Sequence, residues 1–464
     1  MSKSSSPSVD RPVLRRLGLA AAAVAALTGC GIDKPMGTMG YVEGFGGLVS
    51  ADEPRAVLAA RDVLSAGGTA ADAAVALYFT LAVTQPSTAS LGGGGVCVVH
   101  SGEGKSVRTE SIEFLAPASA AAGAAPMPTA VPAAVRGFYA LHAKYGRLRW
   151  EQLLAGPERL ARFGSPVSRA FAVDLGKAAP LLARDPQARR IFFRPDGRIK
   201  GEGDQLEQLD LAVTIGRVRR SPGDFYAGTM ARELVAAAQQ AGLSLTVEEL
   251  RDFRPQFTAT AQVAIGNEQA HFPSPQAIAS GAAAEITKLL LTRAGERAQI
   301  VAQASAQGQA APAIMPGTGF TILDSMGGAV ACGVSNQGLF GNGRILPGTG
   351  MVMAAAPGFN GGPPAVSPVL LINPHVNEVR FGGTATGGGE APVAIAATMV
   401  TAAEEMRPLD EAIRRADPPK TAQTVLAPTR VNAFFCASGK AGFKTCKVVT
   451  DPRGYGLAVV VGKD

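Results

Sequence analysis

The sequence predicts an α+β fold in which buried strands pack against apolar helices, and three features carry that reading. Phe320, Ile322 and the run Ala329-Val330-Ala331-Cys332-Gly333-Val334 have the period-2 apolar texture of buried strands, with Asp324-Ser325-Met326-Gly327-Gly328 as the turn between them. Ala73 to Val83 is a largely apolar helix that must be buried on most sides. It is opened by Thr69-Ala70-Ala71-Asp72, a capping box whose threonine and aspartate each meet a free helix-start amide. Glycine is abundant, at 56 residues, while aromatics make up 6% of the chain, which suits layers whose backbones approach closely.

Composition bounds the rest. With 464 residues, 47% hydrophobic and 17% charged, the chain can bury a large core and is not disordered. The formal charge is +7, and Lys3, Arg11, Arg15 and Arg16 against Asp10 supply part of it within the first 29 residues. No Lys/Arg block with interleaved aromatics remains, so a nucleic-acid partner is not expected.

The start of the chain reads as an export signal. Arg15-Arg16 precede the apolar run Leu17 to Leu27, too short for a stable membrane span, and Leu27-Thr28-Gly29-Cys30 has the form of a bacterial lipobox. Residues 1–29 are therefore expected to be a lipoprotein signal peptide and Cys30 the lipid attachment point; the alternative is an ordinary signal peptide with an incidental cysteine. Residues 30–46 read as a tether. The expected location is the periplasmic side of a bacterial cell envelope, with the membrane as partner through the lipid.

Four further cysteines lie in an oxidising compartment on this reading. Cys436 and Cys446 flank a turn-like stretch between two β-rich runs and suit a hairpin disulfide, while Cys97 and Cys332 sit inside apolar strand patterns and read as small buried hydrophobes. His100, His142, His271 and His375 show no metal spacing, so no metal or cofactor is expected.

Folded sequence is expected from Gly47, with a helix over about 53–66 ended by Gly67-Gly68. Thr84-Gln85-Pro86 ends the apolar helix, and Gly92 to Gly95 lead into the strand Val96 to Val99. A glycine run alone often only turns the chain, and no phosphate-loop lysine accompanies it. The combination Gly67-Gly68-x-Ala70-x-Asp72-Ala73-Ala74, Gln85-Pro86, Leu91 and four glycines, however, resembles the N-terminal signature of γ-glutamyltransferases. The resemblance continues in order through Val131-Pro132 to Phe138 with Lys144-Tyr145-Gly146, the helical stretch Trp150 to Gly164, Pro222 to Gly228, and a second capping box at Thr246 to Leu250. Strands over Gln256 to Val263 and Gln269 to Phe272 and a helix over Pro275 to Ala294 follow. Gln303 to Gln309 then looks like a flexible linker. Beyond it come the hairpin, Val366 to Leu371, Phe381 to Gly389, a helical 393–415 and a closing Asp451-Pro452-Arg453.

The resemblance implies a four-layer αββα sandwich of the N-terminal-nucleophile hydrolase type. A large-subunit-like part (47–300), a linker (301–316) and a small-subunit-like part (317–464) would form one intertwined domain. In that family the small subunit opens on a threonine that is both the self-cleavage site and the nucleophile. Matching Phe320, Asp324 and Phe340-Gly341-Asn342-Gly343 without gaps places Gly317 where that threonine should be. Thr318 is the nearest hydroxyl, one place on, and either serves as nucleophile after a slip of the strand or is an ordinary strand-edge threonine. Gly387-Gly388 fall at the family's oxyanion glycines, or else form a close-packed turn.

The family's substrate contacts are thinner still. Glu113-Phe114 run into Leu115-Ala116-Pro117, without the Arg-Glu pair that grips the substrate carboxylate. Pro364-Ala365 stand for a Ser-Ser pair, Gln337 aligns with an asparagine that contacts substrate, and Met351 to Ala356 carries no carboxylate for the substrate amine. The expectation is an uncleaved relative that keeps the cleft but lacks glutathione chemistry and works in binding or assembly, with a protein partner or a small peptide-like ligand. The competing expectation is an active amidohydrolase using Thr318. A third is that Met351, Val352 and Met353 form a partner-docking face; such a stripe is more often core.

Overall fold

Strand pairing organises the chain into two stacked antiparallel sheets. The structure is a computed structural model that describes residues 44–102, 107–120, 129–274, 280–310, 316–358, 366–416, 429–439 and 441–462. The expected leader with Cys30, the expected tether up to residue 43, the start of the helix expected from Pro275, residues 311–315 and Pro364-Ala365 lie outside the described residues.

The first sheet contains β1 (Phe45–Ala51), β2 (Gly94–His100), β3 (Thr109–Phe114), β6 (Gln256–Thr258), β9 (Thr318–Asp324), β10 (Ala329–Ser335) and β15 (Leu457–Gly462). Their order is β15-β1-β9-β10-β2-β3-β6. The second contains β7 (Ala261–Ile265), β8 (Glu268–Phe272), β11 (Val366–Asn373), β12 (Glu378–Thr386), β13 (Arg430–Cys436) and β14 (Cys446–Thr450), in the order β14-β13-β12-β11-β8-β7. A two-residue ladder, β4 (Ser165–Pro166) with β5 (Gln205–Leu206), stands apart. β1 begins at Phe45, which pairs with Gly462, so this sheet starts inside the stretch 30–46 expected to be a tether.

Helices cover the outer faces. On the first sheet lie α1 (Pro54–Ser65), α2 (Ala70–Thr84), α3 (Ala134–Tyr145) and α4 (Trp150–Phe163), with α5 (Arg169–Leu182) farther along. All fifteen residues of α2 are buried, because α1, α3 and α4 pack around it and β9 and β10 lie beneath. Thr69 and Asp72 form the reciprocal cap that starts it. Against the second sheet lie α6 (Ser280–Thr292) and α8 (Ala391–Ala403). Leu48, Val98, Leu323 and Ala331 meet Leu370, Val379 and Phe434 between the sheets, completing the αββα layering.

Three expectations are corrected. The stretch Gln303 to Gln309 is not a flexible linker but part of α7 (Arg297–Ala310), whose Ile300 joins a small core with Leu290 and Val400. Cys97 and Cys332 are not free hydrophobes: they stand directly opposite each other in the β2–β10 ladder, with Cα atoms 4.1 Å apart, and are disulfide-bonded. Period-2 texture places each cysteine inward but carries no cross-strand register, so this pairing was not visible in it. Met351, Val352 and Met353 are 0%, 3% and 0% exposed and are core rather than a docking face. Cys436 and Cys446, opposite each other in β13 and β14, are also bonded.

His100 and His271 are both turned between the sheets, beside Ala329 and Leu370. Burial, with the neighbouring His100, lowers the His271 pKa to about 4. A histidine held neutral in the fold and free to protonate when unfolded favours unfolding as pH falls below its unfolded pKa of about 6.5. At pH 5 this amounts to about 2 kcal/mol. Buried Glu53 and Asp324 have raised pKa values and act in the opposite sense, so the histidine is read by difference. Urea unfolding at pH 7.5 and pH 5 should show an acid-induced loss in the wild type that is smaller by about that amount in His271→Gln.

Candidate functional site

The residues singled out by sequence gather where β9 begins, β10 ends, β11 begins and β12 ends. Gly317 lies just before β9. A Cβ added to it would fall 2.7 Å from Val366 Cγ1 and 2.9 Å from the Val334 carbonyl oxygen, with Ser335 Cβ at 3.8 Å. Val366 of the second sheet thus occupies the space a side chain at 317 would need. The crowding continues inward: a Cβ on Gly319 would sit 2.5 Å from Thr384 Cγ2, and one on Gly333 would sit 2.5 Å from Val366 Cβ.

Thr318 faces the other way. Gly317 and Gly319 point at the second sheet, whereas Thr318 shares the face of Phe320 and Ile322, which pack under the helices. It is 1% exposed, and its Oγ1 donates to Asp52 Oδ2 at 2.8 Å. Asp52 Oδ1 accepts from Asn432 Nδ2 at 2.9 Å, and the same amide nitrogen donates to the Gly319 carbonyl at 3.1 Å. Asn432 Oδ1 in turn accepts from Ser50 Oγ at 3.1 Å and Thr450 Oγ1 at 2.8 Å. The hydroxyl is therefore one end of a buried network that ties β9 to β13 through the residue after β1.

Gly387 and Gly388 follow directly from β12, whose Thr386 pairs with Val366, so they lie at the same edge as Gly317. Gly387 has φ 111°, which requires glycine. The Gly388 N–H is engaged, donating to Thr429 Oγ1 at 3.2 Å, and that hydroxyl donates to Glu390 Oε2 at 3.3 Å. Helix α7 closes over this turn: a Cβ on Gly308 would fall 2.5 Å from the Gly389 carbonyl oxygen. An oxyanion hole needs amides aimed into open space, and this one amide is aimed at a side chain.

Gln337 sits two residues beyond β10 at φ 55°, 3% exposed, with its Nε2 donating to the Ala116 carbonyl at 2.6 Å. Ser335 Oγ accepts from the Gln337 N–H at 2.9 Å and donates to the Pro316 carbonyl at 2.9 Å, fixing the chain just before Gly317. The glycine run 92–95 serves backbone packing. Added Cβ atoms there would lie 2.4–2.7 Å from Val352 O, Asn336 Oδ1, Phe114 O and Gly333 O in turn. Sequence reasoning missed Asp52, Asn432 and Thr429, which belong to no local motif, and read Val366 only as the start of a strand; these residues reach the site only in the folded sandwich. Among the described residues no three His, Cys, Asp or Glu side chains converge as a metal site.

Two sheets face to face between helical layers, with a strand start and a paired-glycine turn converging at one edge, define an N-terminal-nucleophile hydrolase fold. Cephalosporin acylase from Bacillus halodurans shares it, with a TM-score of 0.69 and 20% identity over 93% of this chain and 98% of that one. The gamma-glutamyltranspeptidase family model matches residues 56–292, and the chain belongs to that family. It is 28% identical over 245 residues to Glutathione hydrolase 3 of Arabidopsis thaliana, covering 50% of this chain. It is 32% identical over 227 residues to the Glutathione hydrolase proenzyme of Bacillus subtilis (strain 168), covering 45% of this chain. In each case the match spans only 38% of the relative's length.

The crowding at Gly317 makes a direct prediction. Gly317→Thr should destabilise the protein by about 1–3 kcal/mol through overpacking against Val366. Part of that loss should be recovered in Gly317→Thr/Val366→Ala, as read from denaturant midpoints at constant m-value.

Proposed function

We propose that this protein is an uncleaved, catalytically silent member of its family that works by binding rather than by turnover. Lipid on Cys30 would hold it on the periplasmic side of a bacterial envelope. The observation that carries the reading is the contact between Gly317 and Val366. The family chemistry needs a hydroxyl there, freed at a new N-terminus so that its own amine can act as base. Here the position offers hydrogen, and the neighbouring space is filled from the opposite sheet. The engaged Gly388 amide and the helix over Gly389 support the same conclusion. So does the lack of a carboxylate between Met351 and Ala356 and of an arginine after Phe114. Loss of several charge-assisted contacts, each worth about 2–3 kcal/mol, leaves little affinity for a free glutamyl group.

A second reading rests on one specific contact. The 2.8 Å hydrogen bond from Thr318 Oγ1 to Asp52 would suit a hydroxyl prepared for attack on the preceding carbonyl. It requires cleavage before Thr318.

The deciding measurement is a denaturing gel under reducing conditions. Reduction is essential because the Cys97–Cys332 disulfide joins the two sides of the prospective cleavage point and would hold fragments together. A single full-length band and no release of aniline from a γ-glutamyl anilide are expected. Two fragments, the second starting at Thr318, with turnover erased by Thr318→Ala, would favour the second reading. Cys30→Ser should move the protein from the membrane fraction to the soluble one.

A further inference from the structure

The far end of the first sheet holds a cavity that the Gly317 edge does not use. β9 starts beside Gly317 and ends at Asp324, and seven residues of strand at about 3.3 Å each put the two ends roughly 20 Å apart. At the Asp324 end lies a cavity of about 430 Å³, a size that takes a small ligand. Thr69 at the start of α2, Ser101 and Arg108 on either side of the β2–β3 connection, and Lys144 and Arg147 around the end of α3 line it. Asp324 and Met326 of the β9–β10 turn complete the wall.

Close contacts hold these pieces together. A Cβ on Gly102 would lie 2.2 Å from both the Gly328 nitrogen and the Met326 carbonyl oxygen, so the β2–β3 connection abuts the β9–β10 turn. Arg147 reaches the same turn, with its Nη1 3.2 Å from Met326 Sδ. The Ser101 N–H donates to the Arg108 carbonyl at 3.0 Å, and the Arg108 N–H donates to Ser101 Oγ at 3.0 Å.

What marks the cavity is the imbalance between its donors and its acceptors. The lining carboxylate, Asp324, is already engaged three times. Its Oδ1 accepts from the Met326 N–H at 2.9 Å and the Gly328 N–H at 2.8 Å, and its Oδ2 from the Ala70 N–H at 2.8 Å. The donors are less fully used. Among the described residues neither Arg108 nor Arg147 forms an ion pair with a carboxylate, whereas Lys144 pairs with Glu110. Arg147 gives Nη2 to the Gly67 carbonyl and leaves Nη1 on a thioether, a weak acceptor. Thr69 Oγ1 accepts from the Asp72 N–H at 3.1 Å and Ser101 Oγ from the Arg108 N–H, but neither hydroxyl donates to an acceptor among the described residues. A ligand that fits is therefore an anion rich in acceptors. The donors converge from the start of α2, the β2–β3 connection and the corner after α3, more directions than the two oxygens of a flat carboxylate meet. A tetrahedral oxyanion offers more acceptor oxygens, and guanidinium forks match phosphate. Val99 and Val330 line the rest of the space and suit a small organic group carried by the anion.

We propose that Arg108 and Arg147, with the Thr69 and Ser101 hydroxyls, bind a phosphate group in this cavity, either as the free anion or as a small monoester. The site goes beyond the reading of the Gly317 edge and does not depend on it.

Isothermal titration calorimetry on the full chain in phosphate-free buffer tests it, with sn-glycerol 3-phosphate, inorganic phosphate, glycerol and acetate as probes. At least one phosphate probe is expected to bind about tenfold or more tighter than acetate, with no heat from glycerol. Tighter binding of glycerol 3-phosphate assigns the site to a monoester, and tighter binding of inorganic phosphate assigns it to the free anion. Arg108→Gln and Arg147→Gln should each weaken that binding about tenfold or more. Arg190→Gln, which removes the same charge from a surface outside the cavity, should leave it unchanged. Arg108→Gln carries the readout if Arg147→Gln, which also loses the Gly67 contact, fails to reproduce the wild-type circular dichroism. No binding of either phosphate probe at about 10 mM overturns the inference. So does acetate binding as tightly as phosphate, wild-type affinity in folded Arg108→Gln, or an equal loss in Arg190→Gln. Release of aniline from the anilide would end the proposed function and leave this titration unaltered.

Discussion

The constraint on which the rest depends is the close approach of the two sheets where β9 and β10 face β11 and β12. At Gly317, Gly319 and Gly333 there is no room for a Cβ, because Val366 and Thr384 of the opposite sheet stand in its place. Packed interiors tolerate neither voids nor overlaps, and each of these three glycines is matched by a branched side chain of the other sheet. This fit sets the sandwich spacing at its functional edge. It also leaves no space at position 317 for a side chain beside Val366.

Around this contact the polar groups are largely turned to structural use. Thr318, Asp52, Asn432, Ser50 and Thr450 satisfy one another in a chain crossing between sheets, and Thr429 joins Gly388 to Glu390. Such buried networks are stable only when their members are paired. Thr384 Oγ1, Ser367 Oγ and Arg430 Nε are among the buried polar atoms that keep no hydrogen-bond partner.

Much of the fold was legible in the sequence. Capping boxes at Thr69 and Thr246, the period-2 hairpin of β9 and β10 and the apolar α2 are local signals, set by residues close together in the chain. The ordered family signatures extended those signals to the layer architecture. Helix α7 was not legible, because Ala, Gln, Ser and Gly carry no amphipathic period there and its helical state depends on packing by Ile300 and Gly308. The site was legible only in outline. Gly317, Gly387 and Gly388, picked out by the resemblance, share one edge in the fold; Asp52, Asn432 and Thr429 were not picked out, since nothing in their neighbourhoods distinguishes them, and Val366 was read only as the start of a strand.

By itself the sequence determined which family the chain resembles and that a glycine stands at the expected nucleophile position, because identity and order along the chain are one-dimensional facts. It also determined the faces of β9: strand alternation puts Thr318 opposite to Gly317 and Gly319. Only the tertiary structure decided what each face meets. Cross-strand register paired Cys97 with Cys332, sheet stacking set Val366 against Gly317, and chain return brought Asn336 to the Pro86 carbonyl. Those contacts join residues far apart in sequence, and no local periodicity encodes a neighbour that arrives from another strand.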